Sequence, residues 1–378
     1  MTLKAFLYRA CVTMLKISYK VINLFASSGE RITYISRQAD EPSEDMMLLV
    51  DVMKKSHPEF RNVVLAKKIK GPGYFFHFFR QMHHIARSRL VVLDGYCIVA
   101  STLNHNSNTE FIQMWHASAA VKKFGYQTLD KESGSTRRIA GIMKMHHNYN
   151  WVFAPSKATG RHFSEAFDVN ISKIRYLGLP HLDLLLQPLG EKQEKIDSEY
   201  PGLAGKKNIL YIPTFRKNKE IPLSELTEVI DYTTYNLIVK LHPMDNTKST
   251  DSRVITDQKF STYDWMRYCD IIITDYSSLA VEAAILLKPL FLWVYDIDEY
   301  RKDPGLNIDP EGEAISEFAA KKARKLKTML SQIETYDIGA LKEFRDKYIE
   351  IEPGKCREDM LKFIEGIISD GKDNRKRN

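Results

Sequence analysis

Along most of this chain, short and almost unbroken apolar runs alternate with longer stretches in which apolar residues recur every three or four positions. The short runs predict strands at 31–35, 62–65, 90–93, 111–115, 151–153 and 174–177, then a second series at 209–212, 237–241, 254–255, 270–274 and 290–294. The runs at 91–93 and 271–273 have no polar face, as expected of strands covered on both sides of a parallel sheet. Strands alternating with helices predict a doubly wound α/β architecture, here twice: one Rossmann-like domain over 29–187 and another over 208–350. Between them, 187–207 carries Pro188, Gly190, Pro201, Gly202 and Gly205 amid charges, the composition of a linker. Helical spacing near 315–330 and 359–368 has no strand to serve afterwards. Residues 351–378 are therefore expected to form a C-terminal helix and basic tail, and one of these helices to cross back onto the first domain.

The first 28 residues follow another rule. Leu3, Leu7, Ala10, Met14, Ile17, Val21 and Leu24 alternate steps of four and three, which sets them along one stripe of a helix. Arg9, Lys16 and Lys20 fall on a neighbouring strip, Lys4 adds another positive charge, and no acidic residue precedes Glu30. The charges interrupt the run, so it fits neither a signal peptide nor a membrane span of about 20 apolar residues. An amphipathic helix over 1–28 remains, which either lies in the interface of an anionic bilayer or lays its stripe on the N-terminal domain. The basic tail Lys372, Arg375, Lys376 and Arg377 and the cluster Lys321, Lys322, Arg324, Lys325 and Lys327 favour the bilayer. The expected location is peripheral, at the cytoplasmic face of the cell membrane, with Lys4, Arg9, Lys16 and Lys20 as contacts.

A length of 378 residues allows two domains with cores of their own, and 44% hydrophobic with 27% charged residues is ordinary globular composition. The net charge of +7 suits a surface that meets anions without choosing among them. A nucleic-acid binder would show a basic stripe interleaved with aromatics; the motifs below are built on His, Ser and Asp, so no nucleic acid is expected. Cys11, Cys97, Cys269 and Cys356 are scattered, and no export signal precedes them, so they are expected as reduced thiols. The adjacent pairs His83-His84 and His146-His147 lack chelating spacing, and no Walker, HExxH or Gly-rich dinucleotide motif occurs, so neither metal nor cofactor is expected.

Doubly wound domains bind ligands at the carboxyl ends of their strands, and the chemistry-bearing residues fall there. After the run 270–274 come Asp275-Tyr276-Ser277-Ser278, where free N–H groups at a helix start and two hydroxyls suit an anion; the same serines would cap a helix in any such turn. Thr214 and Arg216 follow another strand, a hydroxyl and a rigid fork that fit phosphate oxygens, unless Arg216 is simply solvated with Lys217 and Lys219. His242, held extended by Pro243, is placed to donate to a phosphate or steady a leaving group; a core histidine is the alternative. His116 ends the run 111–115 and is expected to face the second domain's motifs, where it would take a proton from an acceptor hydroxyl, unless it packs under Trp115.

Trp115-His116, Gly178-Leu179-Pro180-His181-Leu182-Asp183, Pro213-Thr214-Phe215-Arg216, Lys240-Leu241-His242-Pro243, Thr274-Asp275-Tyr276-Ser277-Ser278 and Tyr295-Asp296-Ile297-Asp298-Glu299-Tyr300 arrive in one order. Together they resemble the motifs of the CDP-glycerol glycerophosphotransferase family of wall teichoic acid synthesis. The resemblance implies a glycosyltransferase-B architecture, CDP-glycerol as donor, a lipid-linked disaccharide as acceptor and no catalytic metal. It implies His116 as general base and His242 at the donor's phosphates. Thr214, Arg216, Asp275, Ser277, Ser278 and Glu282 would surround the phosphates and nucleotide, and Trp115, Ser118 and Asp183 would fall on the acceptor side. Polymerising members look longer at the N-terminus, so the chain is most similar to the primases, which add the first glycerol phosphate to an undecaprenyl-diphosphate-linked disaccharide and release CMP. A homo-oligomer is compatible with this. Ala117-Ser118-Ala119 stands where the family has Gly-Thr-Pro, His181 where it has Arg, and the stretch 301–306 where it has Arg-Gly-aromatic. The last two departures leave a ribitol-phosphate donor open, and a sugar transferase with Glu282 on a nucleotide ribose also stays open.

Overall fold

Among the described residues, twelve strands pair into two six-stranded sheets, every neighbour parallel. The computed structural model describes residues 3–27, 29–69, 73–216, 219–242, 245, 247, 249 and 251–376. Lys217, Pro243 and Arg377 lie outside the described residues, as do the side chains of Lys4, Lys372, Arg375 and Lys376. The chain divides into a first unit, Met1–Ser118, Lys123–Asp183 and Glu350–Asn378, and a second, Ala119–Lys122 and Leu184–Ile349.

The first unit's sheet comprises β1 (Arg31–Ser36), β2 (Arg61–Ala66), β3 (Leu90–Leu93), β4 (Glu110–Gln113), β5 (Trp151–Ala154) and β6 (Ile174–Tyr176), ordered β2-β1-β3-β4-β5-β6. The order reverses between β1 and β3, the switch point at whose carboxyl ends folds of this kind bind ligands. β3 is wholly buried, as its unbroken apolar run requires. β4 stops at Gln113, short of the expected 115, because Trp115 turns into the left-handed region at φ 62°.

The second unit's sheet comprises β7 (Lys207–Tyr211), β8 (Tyr235–Val239), β9 (Val254–Thr256), β10 (Ile271–Thr274), β11 (Leu290–Trp293) and β12 (Ala319–Ala320), ordered β12-β11-β10-β7-β8-β9. Read from β7, this is the 3-2-1-4-5-6 order of nucleotide-binding folds, with its crevice between β7 and β10. Two expectations change here. The helix expected over 315–330 is interrupted, since Ala319 and Ala320 pair with β11 and the helix runs only over Ala323–Ser331. The expected linker contains the helix Glu191–Glu199, fastened by buried Ile196 and by Lys192 Nζ, 2.8 Å from Asp264.

The N-terminal helix Leu3–Leu24 is docked, but not by the stripe singled out above. Ala5, Val12, Leu15 and Tyr19 form its buried face, and the Tyr19 hydroxyl meets His105 Nδ1 at 3.0 Å. Leu3, Leu7, Ile17, Val21 and Leu24 are 53–75% exposed, and Arg9, Lys16 and Lys20 are exposed beside them. The helix thus carries apolar residues on two faces, of which only one is covered. No helix among the described residues is long and apolar enough to cross a membrane.

Candidate active site

In the first unit, three strand ends converge on one imidazole. The Trp115 N–H donates to Gln113 Oε1 at 3.0 Å, and its ring stacks on Phe124 with centroids 4.8 Å apart. That anchored, left-handed turn brings His116 Nδ1 to 2.7 Å from the Asp94 carbonyl at the end of β3. A carbonyl only accepts, so Nδ1 carries the proton and Nε2 keeps its lone pair. Gln38, beyond β1, abuts the same nitrogen with its amide at 3.1 Å. Desolvation by the protein around the ring lowers the His116 pKa, the Asp94 bond raises it and Arg37 lowers it, with a net value below the ordinary one. The Asp94 side chain is fully buried, and burial pushes its pKa up to about 6. Arg37 lies 5.2 Å from the Tyr96 ring centroid, and Ser118 is fully buried.

Asp183 takes a different place from the acceptor side expected of it. It is 2% exposed, and its carboxylate accepts from the N–H groups of Gly354, Cys356 and Arg357 and from Arg357 Nε, at 2.8–3.0 Å. Burial alone would raise its pKa, but the Arg357 and Cys356 N–H bonds outweigh that and lower it. Asp183 therefore holds the start of the C-terminal helix Cys356–Lys376, and its lone pairs are spent there. His181, the departure noted above, is 2% exposed and bonds both Asp45 carboxylate oxygens at 2.9 Å.

In the second unit, the ends of β7, β10 and β11 are laced by buried charges. Arg216 is 7% exposed; its Nε and Nη2 lie 3.2 and 3.0 Å from Asp296, and its Nη1 bonds Asp275 and the Thr214 carbonyl. The Thr214 N–H, 3.0 Å away, and its hydroxyl also donate to Asp275. Burial would lower the Arg216 pKa, but the Asp275 charge and the Asp296 bond raise it far above the ordinary value. Thr214, Arg216 and Asp275 are thus brought together, though the guanidinium points at carboxylates rather than into open space.

Tyr276 stacks on Tyr300 with centroids 4.2 Å apart, and Ser277 Oγ accepts from the Leu279 N–H at 3.2 Å. Ser277 and Ser278 are half-buried and open the helix Leu279–Ile285, on which Glu282 is buried. His242 is exposed, with its ring 5.3 Å from Phe215. Among the described residues, no group of three or more His, Cys, Asp or Glu side chains could hold a metal. Arg37, Gln38 and Asp94 belong to no motif in the sequence, and their signal is their position just after the apolar runs at 31–36 and 90–93.

The family model for CDP-glycerol:poly(glycerophosphate) glycerophosphotransferases matches residues 17–366. A teichoic acid ribitol-phosphate primase of Bacillus spizizenii is 27% identical over 98% of this chain and 100% of its own. A teichoic acid glycerol-phosphate primase of Bacillus subtilis is 28% identical over 78% of this chain and 77% of its own. The structure of the wall teichoic acid polymerase TagF superposes with a TM-score of 0.73 at 18% identity, covering 99% of both chains, and so shares the fold. The two parallel sheets, the strand-end motifs and a match over nearly the whole length make this chain a member of the CDP-glycerol:poly(glycerophosphate) glycerophosphotransferase family, and a transferase.

Proposed function

We propose that this chain transfers one glycerol phosphate from CDP-glycerol to a lipid-linked disaccharide in teichoic acid synthesis and releases CMP. The observation that carries the reading is the His116 imidazole, whose Nδ1–H is spent on the Asp94 carbonyl and whose lowered pKa keeps Nε2 unprotonated near neutral pH. An acceptor hydroxyl gives its proton to Nε2, and its oxygen attacks the phosphorus that bears glycerol. The bond from that phosphorus to the bridging oxygen breaks, and the electron pair leaves with CMP. His242 and the hydroxyls and N–H groups at Ser277 and Ser278 meet the charge on the leaving phosphate, while Arg216, Asp275 and Thr214 hold their loop. Glu282, on the second unit, is assigned to the nucleotide, and Trp115, on the first, to the acceptor. The step uses no metal, and a chelator leaves its rate unchanged; a rate restored only by divalent ions contradicts this.

Single addition is supported by the two relatives named primases, and the donor class by the family and by a TagF variant whose structure was determined after a CDPG soak. A ribitol-phosphate donor is the second reading, because the ribitol-phosphate primase aligns with nearly the whole chain and the glycerol-phosphate primase with 78% of it. The acceptor is a lipid. The exposed Leu3, Leu7, Ile17, Val21 and Leu24 beside Arg9, Lys16 and Lys20 support a seat on the anionic, cytoplasmic face of the membrane. The test is incubation with CDP-glycerol and CDP-ribitol and a soluble lipid-disaccharide analogue, with products weighed by mass spectrometry. A mass gain of one glycerol phosphate is expected; a gain of ribitol phosphate moves the donor, and no gain from either donor overturns the proposal.

A further inference from the structure

With Arg216 committed to Asp275 and Asp296, a further cation for the donor's diphosphate must come from elsewhere, and several of the described lysines and arginines of the second unit are spent. Lys240 is pinned by Asp257 and the Phe260 carbonyl, Arg301 by Asp309 and Glu311, and Lys219 by Glu299. Lys122 is different. It belongs to the short segment Ala119–Lys122, which groups with the second unit and is bonded to it through its backbone. The Val121 carbonyl accepts from the N–H groups of Asn307 and Ile308 at 2.8 and 3.2 Å, and Lys122 makes an antiparallel bridge with Leu306. This clasp sets Lys122 Nζ 5.8 Å from the Tyr300 ring centroid, and Tyr300 stacks on Tyr276, which directly precedes Ser277. Arg216 lies 5.2 Å from the same centroid.

We propose that Lys122 is a donor-binding residue whose ammonium meets the diphosphate of a nucleoside diphosphate ester; this rests on the donor assignment above. A half-buried ammonium that shares a ring with a guanidinium, and has no ion pair with a described carboxylate, recovers only part of the hydration it loses. A bound dianion restores that balance. The same surroundings lower the Lys122 pKa, through desolvation first, against the Asp275 charge and with the Arg216 charge. No carboxylate need be displaced, so the site is open to an anion from the start.

The experiment compares CDP, CMP and cytidine binding by calorimetry in the full chain, in Lys122→Met and in Lys122→Arg. Lys122→Met keeps the stem and removes the charge. It is expected to weaken CDP at least ~10-fold and leave cytidine unchanged, and Lys122→Arg is expected to recover most of the loss. Wild-type affinity for CDP should also fall as pH rises into the lysine range, while that of Lys122→Arg stays flat. That readout would not move if Lys122 were only structural. Lys122→Met binding CDP within about 3-fold of wild type overturns the proposal and leaves the donor assignment standing. Equal weakening of CDP and cytidine overturns it too, since the defect would be one of folding. Wild type that fails to bind CDP overturns the donor assignment, and this inference with it.

Discussion

Replacing Arg216 with Ala separates two roles that its sequence position leaves open. The change strands two carboxylates, Asp275 and Asp296, which are 1% and 5% exposed. Thr214 still donates to Asp275 through its N–H and hydroxyl, so Asp296 bears the larger loss. Removing one partner of a buried ion pair costs roughly 3–5 kcal/mol, because the remaining charge stays desolvated without compensation. In a domain of 150–250 residues each kcal/mol moves the melting temperature by about 2–4 °C, so the second unit should melt about 6–20 °C lower. Calorimetry on the full chain measures this. Neutralising both carboxylates in the same variant, with Asp275→Asn and Asp296→Asn, should recover at least half of the loss, since a neutral cluster has little to desolvate. A variant that melts within about 2 °C of wild type and yet no longer binds CDP would refute the reasoning and make Arg216 a direct phosphate ligand.

His116→Ala should lower turnover at least ~10²-fold with the fold intact, and near-normal turnover removes it from the chemistry. Because the folded-state pKa of His116 is lowered, the base stays unprotonated as pH falls through the ordinary histidine value, so the acid limb of kcat/KM should lie below 6.5; a limb above it refutes the assignment. Asp183→Ala should cost about 1–3 kcal/mol and expose the amides of the C-terminal helix to hydrogen exchange first; unchanged protection there would show that the cap is dispensable. Replacing Leu7, Ile17, Val21 and Leu24 with Ser should abolish binding to anionic vesicles without lowering the melting temperature, whereas a lowered melting temperature would mean that this face is covered by protein. With donor in excess, each acceptor should gain one glycerol phosphate, because a charged terminus and an N-acetylated sugar differ too much for one site; a ladder of products shows a polymerase instead.

The buried strands were readable because their apolar runs are self-contained, as at Ile271–Thr274. β12 was not, because two alanines carry no periodic signal and owe their pairing to β11. The site divides along the same line. Trp115 and His116 announce themselves at the end of an apolar run, but the tautomer of His116 is set by a carbonyl 22 residues earlier. Arg216 reads as a free fork because Asp275 and Asp296 lie 59 and 80 residues further on. Asp183 reads as a polar residue near a motif because the amides it caps are more than 170 residues away. On the N-terminal helix, both Leu3-Leu7-Ile17-Val21 and Ala5-Val12-Leu15-Tyr19 satisfy helical spacing, so periodicity alone could not tell which face is docked.

The interleaved course of the chain has a consequence for its birth. The second unit is contiguous from Leu184 to Ile349 apart from one four-residue segment already made by then, so everything it needs has been synthesised once Ile349 is added. The first unit starts earlier and is completed later. Its helix Glu44–Ser56 and strand β5 wait for the C-terminal helix, whose Met360, Ile364 and Ile368 are buried and whose Phe363 sits 5.6 Å from both Trp151 and Phe153. Ribosomes add about 5–20 residues per second, and nascent domains ordinarily fold in the order in which they emerge. Here the first unit cannot close before the second is complete: its sheet keeps an apolar flank open until the helix Cys356–Lys376 has emerged. A chain truncated after Ile349 and released from the ribosome should therefore hold a protease-resistant second unit behind a protease-sensitive first one.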